Sequence, residues 1–162
     1  MIEEKYKDVA EYSEKGVDGI RRTGIKVLEF RDRHVKMLMP LAGNTNHVGI
    51  MYAGSLFTIG EISGGVIFAA AFDATKYYPI VKEVNIKFLK PVMTDVTLVV
   101  DMSEEKVKEV KKLLEEKGKA DFELDLEIKD PNGQVMAIVH GIWPIRKLPE
   151  GFESPLAKKK SS

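Results

Sequence analysis

The chain has 162 residues, 44% of them hydrophobic, which suits one globular domain with its own core. Twenty-five basic and 25 acidic residues give a net charge of zero, so charge offers no basis for binding nucleic acid or an anionic membrane. The absence of cysteine excludes disulfides and cysteine-ligated zinc, and the three histidines lie too far apart in sequence for a metal-ligand motif.

The first 20 residues predict an amphipathic helix. Apolar side chains recur at helical spacing among charged ones from Ile2 to Ile20, with an interruption or end near Gly16 or Gly19. Because acidic and basic residues alternate here, the segment does not resemble a signal peptide, and we expect a cytoplasmic protein.

Two strands and a polar loop follow. Residues 25–30 and 35–41 have strand character and are joined by a charged turn. Residues 42–49 are polar and contain glycine, which predicts a loop.

Residues 48–72 form the most apolar stretch of the chain, and Glu61 is its single charged residue. The recurrence of apolar and small side chains every three to four residues predicts a buried helix from about Tyr52 to Phe72. The stretch is long enough to cross a bilayer, but a carboxylate near the midplane would cost about 3 kcal/mol. We therefore favour a buried core helix. Three glycines inside it indicate that another backbone passes close by: Gly60, Gly64 and Gly65.

Four more strands are predicted after this helix. They cover residues 80–89 (with an irregularity at Asn85), 96–100, 120–128 and 134–145, and a tight turn at 130–133 joins the last two. A short helix near 103–117, with Ser103 as its N-cap, separates the second strand from the third.

This order of elements predicts an α+β fold in which a largely antiparallel, strongly curved sheet wraps around the apolar helix. We expect an N-terminal helix over 1–20, a single domain over 21–147 with the helical insertion near 103–117, and a flexible tail over 148–162.

Glu61 is the strongest functional candidate, because a carboxylate among apolar residues is expected to have a raised pKa. A polar loop containing Asn46 runs into the start of the same helix. Ala53 and Gly54 have little or no side chain there, so a substrate carbonyl can approach their backbone amides, which can hold a developing oxyanion. Glu61 can serve as a base or nucleophile, and Asn46 can hold water or a carbonyl. These are the groups that acyl-group hydrolysis needs.

The segment resembles the hotdog-fold thioesterases, particularly their PaaI-like branch, whose pattern is roughly Asn-x-x-Gly-x-x-His-Gly-Gly followed seven residues later by Asp or Glu. Asn46, Gly49, Gly54 and Glu61 match this pattern in register. The segment IVKEVNIKFLKP is similar to the family's long central strand, and "HVGxMYAGxLFTxxE" resembles a little-characterised branch. The resemblance covers residues 25–146.

The resemblance implies a hotdog fold and an acyl-CoA thioesterase that needs no cofactor or metal. It also implies a homodimer or a dimer of dimers (a homotetramer), with the Asn loop of one subunit facing the acidic residue of the other. The acyl chain would lie in a tunnel beside the helix and the CoA arm on the surface. Carried over by position, Glu61 is the base or nucleophile, Asn46 positions water or the carbonyl, and Ala53 supplies the oxyanion-hole amide.

Three residues depart from the family pattern. Tyr52 replaces the usual His, Ala53 replaces the first Gly of the pair, and Val81 stands where some relatives have Ser or Thr. The candidate substrate-binding residues are Gly49, Tyr52, Gly54, His47, Val81 and Lys90, and Lys87 is a further candidate for the CoA phosphates.

Structural roles remain alternatives for the same residues. Glu61 can be hydrogen-bonded to Thr58 or to a loop, Asn46 can be a turn residue, and strand lysines are commonly solvated.

Two other functions remain open on this scaffold. One is a non-catalytic protein that binds acyl groups or acyl-CoA, which Tyr52 and Val81 favour. The other is a hydroxyacyl thioester dehydratase using His47 and Glu61, which ranks lower because the loop lacks the prolines that are typical of that family. The sequence leaves open the acyl chain and whether the substrate is a CoA or an acyl-carrier thioester.

Overall fold

A computed structural model describes residues 1–158, which form four α-helices and seven strands. The helices are α1 (Lys7–Lys15), α2 (Asp18–Arg21), α3 (Ala53–Ala71) and α4 (Glu104–Lys117), and a 3₁₀ turn at Glu4–Tyr6 precedes α1. The strands are β1 (Lys26–Arg31), β2 (His34–Met39), β3 (Tyr77–Pro79), β4 (Glu83–Phe88), β5 (Val96–Asp101), β6 (Ala120–Lys129) and β7 (Val135–Lys147).

The strands form one antiparallel sheet in the order β1-β2-β5-β6-β7-β3, and β4 pairs with β7 on the same side as β3. β3 and β4 are two parts of one edge strand, because the amides of Ile80 and Lys82 still donate to carbonyls of β7 between them. The irregularity predicted at Asn85 is therefore wrong, since Asn85 pairs in register with His140. The break instead follows Pro79 and covers residues 80–82.

The long apolar helix is confirmed as α3, with Tyr52 and Phe72 as its caps. The helix packs against the sheet and is mostly buried there, which explains its apolar character without a membrane span. Apart from its end residues Ala53 and Ala71, one stripe of its surface is not fully buried: Gly54, Phe57, Thr58, Glu61 and Gly65, at the spacing of one helix face.

Two glycines of α3 make room for side chains of β7, not for a backbone as expected. A Cβ on Gly64 would lie 2.1 Å from the indole nitrogen of Trp143, and one on Gly60 would lie 3.0 Å from Val139. Gly65 differs, because a Cβ there would meet no atom within 4 Å among the described residues. The prediction of a close backbone is therefore wrong, and bulky side chains of β7 are the reason for Gly60 and Gly64.

The N-terminal segment packs against the domain as two helices, and the interruption predicted near Gly16 or Gly19 is confirmed at Gly16. α1 ends next to Gly16, where the ring of Tyr12 lies so close that a Cβ would not fit, and α2 begins at Asp18. The ring of Tyr6 stacks on Phe30 at 4.5 Å between centroids. These contacts fix α1 and α2 over the open stripe of α3.

The remaining elements close the ends of the sheet. Ser103 caps α4 by accepting a hydrogen bond from the amide of Lys106, and α4 buries one apolar stripe. At the C-terminal end, Leu156 and Ala157 pack against the core. The last four residues of the predicted flexible tail, 159–162, lie outside the described residues.

Candidate active site

A cavity of about 280 Å³ lies where α1 and α2 cover the open stripe of α3. Its other walls come from the linker between β3 and β4, from β7 and from the C-terminal segment. Glu61 is the only charged residue among the described lining residues. The full lining is Tyr12, Ser13, Val17, Ile20, Glu61, Ile62, Gly65, Val66, Pro79, Ile80, Val81, Trp143 and Leu156.

The carboxylate of Glu61 has no hydrogen-bond or ion-pair partner within residues 1–158. Burial raises the pKa of Glu61 above its ordinary value of 4.5, which confirms the shift expected from the sequence. Thr58 does not bind this carboxylate, because its hydroxyl donates to the carbonyl of Gly54 at 2.8 Å. The structural alternative of a bond between Glu61 and Thr58 is therefore wrong, and the carboxylate is free to act on a ligand.

Trp143 forms part of the cavity wall and carries an unusual polar atom. The residue is 1% exposed, and its indole Nε1 is the one buried side-chain nitrogen or oxygen without a partner among the described residues. An unpaired buried donor costs about 1–3 kcal/mol. The close fit of the ring against Gly64 explains its position, because no acceptor approaches on that side.

The start of α3 presents two free amides. Among the described residues, the N–H groups of Ala53 and Gly54 have no acceptor, whereas those of Ser55 and Leu56 donate to the carbonyl of Tyr52. Unpaired amides at a helix start are suited to an anion or a polarised carbonyl oxygen. The exposed ring of Tyr52 folds over Gly54 and leaves no room for a Cβ there.

The loop before α3 is organised by Asn46. Its side-chain oxygen accepts hydrogen bonds from the amides of Val48 at 3.0 Å and Ile50 at 3.3 Å, and Gly49 has a φ of +81°. The side-chain oxygen of Asn46 therefore stabilises the turn, which is the structural role that the sequence left open for this residue. The NH₂ group of Asn46 has no acceptor among the described residues and can still donate to a ligand. His47 is exposed beside it.

Sequence reasoning missed Asn44, which joins this loop to the helix. Asn44 is 5% exposed, and its NH₂ group donates to the carbonyls of Thr23 and Pro40 at 2.7 and 2.8 Å. Its side-chain oxygen accepts from the hydroxyl of Ser55 at 2.8 Å, and its carbonyl accepts from the amide of Tyr52. A sequence pattern does not distinguish this buried asparagine from the exposed type, because both occur in polar loops.

The predicted site residues fall into two separate groups. Glu61 and Val81 line the cavity, whereas the group around Asn46 lies at the start of α3. Ala53 and Glu61 are eight residues apart on the helix, which is about 12 Å along its axis. Lys90 is exposed beyond the end of β4 and belongs to neither group. Within one chain, the two groups therefore cannot act on the same carbonyl.

A larger groove of about 670 Å³ lies on the outer face of the sheet, and Lys87 is one of its residues. Most of its lining residues are polar or charged, and hydrogen bonding to Asp125 raises the pKa of His140 there. No group of potential metal ligands is present among residues 1–158. Small-molecule sites are typically lined by apolar residues, and the Glu61 cavity meets this description better than the polar groove does.

Comparison with known proteins identifies the family. Residues 9–143 match the family model described as "Putative thioesterase (yiiD_Cterm)". A protein of unknown function from Pseudomonas aeruginosa, described as a "Probable Thioesterase", is 33% identical, with a TM-score of 0.82 over 86% of this chain and 93% of that one. The search of curated proteins found no match.

Two further solved structures share the fold at lower identity. A "putative thioesterase" from Shewanella oneidensis is 20% identical, with a TM-score of 0.74 over 90% of this chain and 99% of that one. A protein of unknown function from Chlorobaculum tepidum is 19% identical, with a TM-score of 0.75 over 88% and 94%.

A curled antiparallel sheet around a central helix, with a carboxylate on that helix, defines a hotdog-fold protein of the thioesterase superfamily. The chain belongs to the yiiD_Cterm family of that superfamily, and the family supports a hydrolase that acts on thioesters.

Proposed function

We propose that the protein is an acyl-CoA thioesterase in which Glu61 activates the attacking water. The observation that carries the proposal is an unpaired carboxylate in a cavity that is otherwise uncharged and mostly apolar. Such a cavity accepts an acyl chain and places the carboxylate beside it. Membership of a thioesterase family supports the same reaction.

Glu61 takes a proton from water as the water oxygen forms a bond to the thioester carbonyl carbon. The carbon–sulfur bond then breaks, and the proton held by Glu61 passes to the departing thiolate. A base is most effective when its pKa lies near the working pH, and burial moves the pKa of Glu61 in that direction. Attack by the carboxylate itself, with a transient acyl-enzyme, uses the same geometry.

The separation of the two groups of site residues supports a homodimer. A thioester carbonyl at Glu61 needs oxyanion donors that its own chain holds about 12 Å away. In the proposed dimer these donors are the amide of Ala53 of the partner subunit and its neighbour, with Asn46 of the partner subunit holding water or the carbonyl.

The edge of the sheet at β4 supports that dimer, because it exposes an apolar surface. Phe88, Leu89 and Met93 are 50%, 52% and 67% exposed, and solvent-exposed groups of this kind are typical of an interface. In the proposed dimer, Lys90, which is exposed beside these residues, binds the phosphates of the CoA arm. A dimer of dimers is compatible with this arrangement.

The test is hydrolysis of a panel of acyl-CoA thioesters, with release of free thiol as the measurement. Wild type is expected to hydrolyse at least part of the panel, and Glu61→Gln is expected to lower kcat by about 100-fold or more, because it removes the base without changing size. Glu109→Gln, an exposed glutamate in the middle of α4, is the matched control and is expected to keep full activity.

Other results would identify the alternatives. Binding of acyl-CoA by wild type without thiol release would establish a binding protein instead of an enzyme. Dehydration of a 3-hydroxyacyl thioester without thiol release would establish a lyase, with the exposed His47 as its second group. Full activity in Glu61→Gln would show that the carboxylate is not the base.

A further inference from the structure

Gly65 is the one glycine of α3 that packing does not explain. A Cβ on Gly65 would meet no atom of residues 1–158 within 4 Å, whereas a Cβ on Gly60 or Gly64 would press against β7. Glycine weakens a helix relative to alanine, so an unpacked glycine in a core helix forgoes stability. Gly65 lines the Glu61 cavity, so the missing side chain leaves that cavity open.

Gly65 also lies in line with Glu61. The two residues are one turn apart on α3, about 6 Å along the axis, and both belong to the incompletely buried stripe. An acyl chain that leaves a carbonyl held at Glu61 therefore passes Gly65 next. A short acyl group ends before this point, whereas a longer chain must cross it.

The far walls of the cavity come from the N-terminal segment of the same chain. Tyr12, Val17 and Ile20 line it, and the Tyr12 ring is held against Gly16 at the end of α1. The volume of about 280 Å³ has room for on the order of nine methylene-sized groups, each about the volume share of a water molecule. Because Val17, Ile80 and Val81 are 47%, 43% and 45% exposed, the cavity is open to solvent on one side, and its volume sets the length of chain that it can bury.

We propose that this cavity selects medium-length acyl chains, with the open face of Gly65 admitting the chain and Tyr12 of α1 limiting its length. The proposal rests on the proposed thioesterase function for the identity of the ligand. It assigns the N-terminal helices a role in specificity. Gly65 and Tyr12 are specificity-determining residues in this arrangement and take no part in the chemistry.

The kinetic test compares butanoyl-, octanoyl-, dodecanoyl- and hexadecanoyl-CoA. Wild type is expected to prefer the medium chains. Gly65→Leu fills the path, so the ratio of kcat/KM for dodecanoyl- to butanoyl-CoA is expected to fall about tenfold or more. Gly65→Ala is expected to shift the ratio in the same direction by less while raising the melting temperature. Tyr12→Ala is expected to shift the preference toward hexadecanoyl-CoA.

The matched control is Gly19→Ala in α2, which also adds a methyl group in open space but lies outside the cavity. It is expected to leave the chain-length ratio at the wild-type value. An equal loss for all chain lengths in Gly65→Leu, or an unchanged ratio in both Gly65 variants, would overturn the proposed selection.

A binding measurement separates this proposal from the thioesterase function. In the Glu61→Gln background, dodecanoyl-CoA is expected to raise the melting temperature more than CoA alone, and adding Gly65→Leu is expected to remove the difference. If wild type hydrolyses no thioester but this pattern holds, the reaction is wrong and the acyl cavity stands. If dodecanoyl-CoA and CoA act alike on Glu61→Gln, the cavity does not bind the chain.

Discussion

Glu61 is a carboxylate whose surroundings disfavour its charge. It is partly buried, lies among apolar side chains and has no partner within residues 1–158. A group of this kind lowers stability, and proteins retain such groups mainly where function requires them. The raised pKa of Glu61 is therefore a property of its site, since desolvation is its sole cause.

The pKa of Glu61 has a consequence for both activity and stability. The folded state holds the proton of Glu61 more tightly than the unfolded state does, so this residue's contribution to stability is present below pH 4.5 and is lost as the pH rises through the raised pKa. Glu61→Gln removes that loss, so we expect the variant to unfold at higher temperature than wild type at neutral pH. Thermal unfolding across the pH range measures the difference.

The same titration should limit the rate. We expect kcat/KM of wild type to fall on the acid side with a midpoint above 4.5, because only ionised Glu61 takes a proton from water. Glu109→Gln should reproduce the wild-type profiles. A Glu61→Gln variant that unfolds at lower temperature than wild type at neutral pH would contradict this account of the carboxylate.

At the scale of elements, α3 combines a packed face and an open face. Its sheet side is fitted so closely to β7 that glycine is required opposite Trp143, while its other side borders a cavity. The helix is therefore both the centre of the core and one wall of the site. Changes on its two faces should have different effects.

Gly64→Ala is expected to destabilise the protein although alanine is the better helix former. The new methyl would lie 2.1 Å from the present position of the Trp143 ring, and overpacking of this kind costs about 1–3 kcal/mol, against a gain in helix propensity of about 1 kcal/mol. Urea unfolding with an unchanged m-value measures the difference. Gly60→Ala, whose methyl would lie 3.0 Å from Val139, should cost less. Greater stability of Gly64→Ala than of wild type would show that the Trp143 ring can move.

At the scale of the whole molecule, one chain contains two incomplete halves of the proposed site. The helix start offers unpaired amides, and the cavity offers an unpaired carboxylate, about 12 Å away along α3. The proposed two-fold dimer would remove this separation, because each half would meet the opposite half of the second chain and form two equivalent sites.

In the proposed dimer, Leu89 lies in an apolar interface where a charge would be left unpaired, so Leu89→Glu is expected to yield a monomer and to lower kcat/KM by about tenfold or more. Analytical ultracentrifugation and thiol release measure the two effects. Leu28→Glu places the same charge on β1, at the opposite edge of the sheet, and should remain dimeric and active. A wild-type monomer with full activity would contradict the shared site.

Several elements were predictable because their burial follows a local period. Every second residue of β6 faces the core, and α4 buries one stripe between a capping serine and a terminal glycine. The apolar run of α3 was predictable for a similar reason. The break after Pro79 was not predicted, because residues 80–89 read as one strand in the sequence.

Sequence alone located Glu61, its raised pKa and the helix start, since one charge in an apolar run and a loop leading into a helix are local features. Tertiary structure alone revealed Asn44 as the buried asparagine, the different surroundings of Gly64 and Gly65, and the cavity beneath α1 and α2. The physical reason is that the spacing of apolar residues along the chain reports only on residues that are close in sequence. A cavity, a close contact or a separation across a helix depends on residues that only folding brings together.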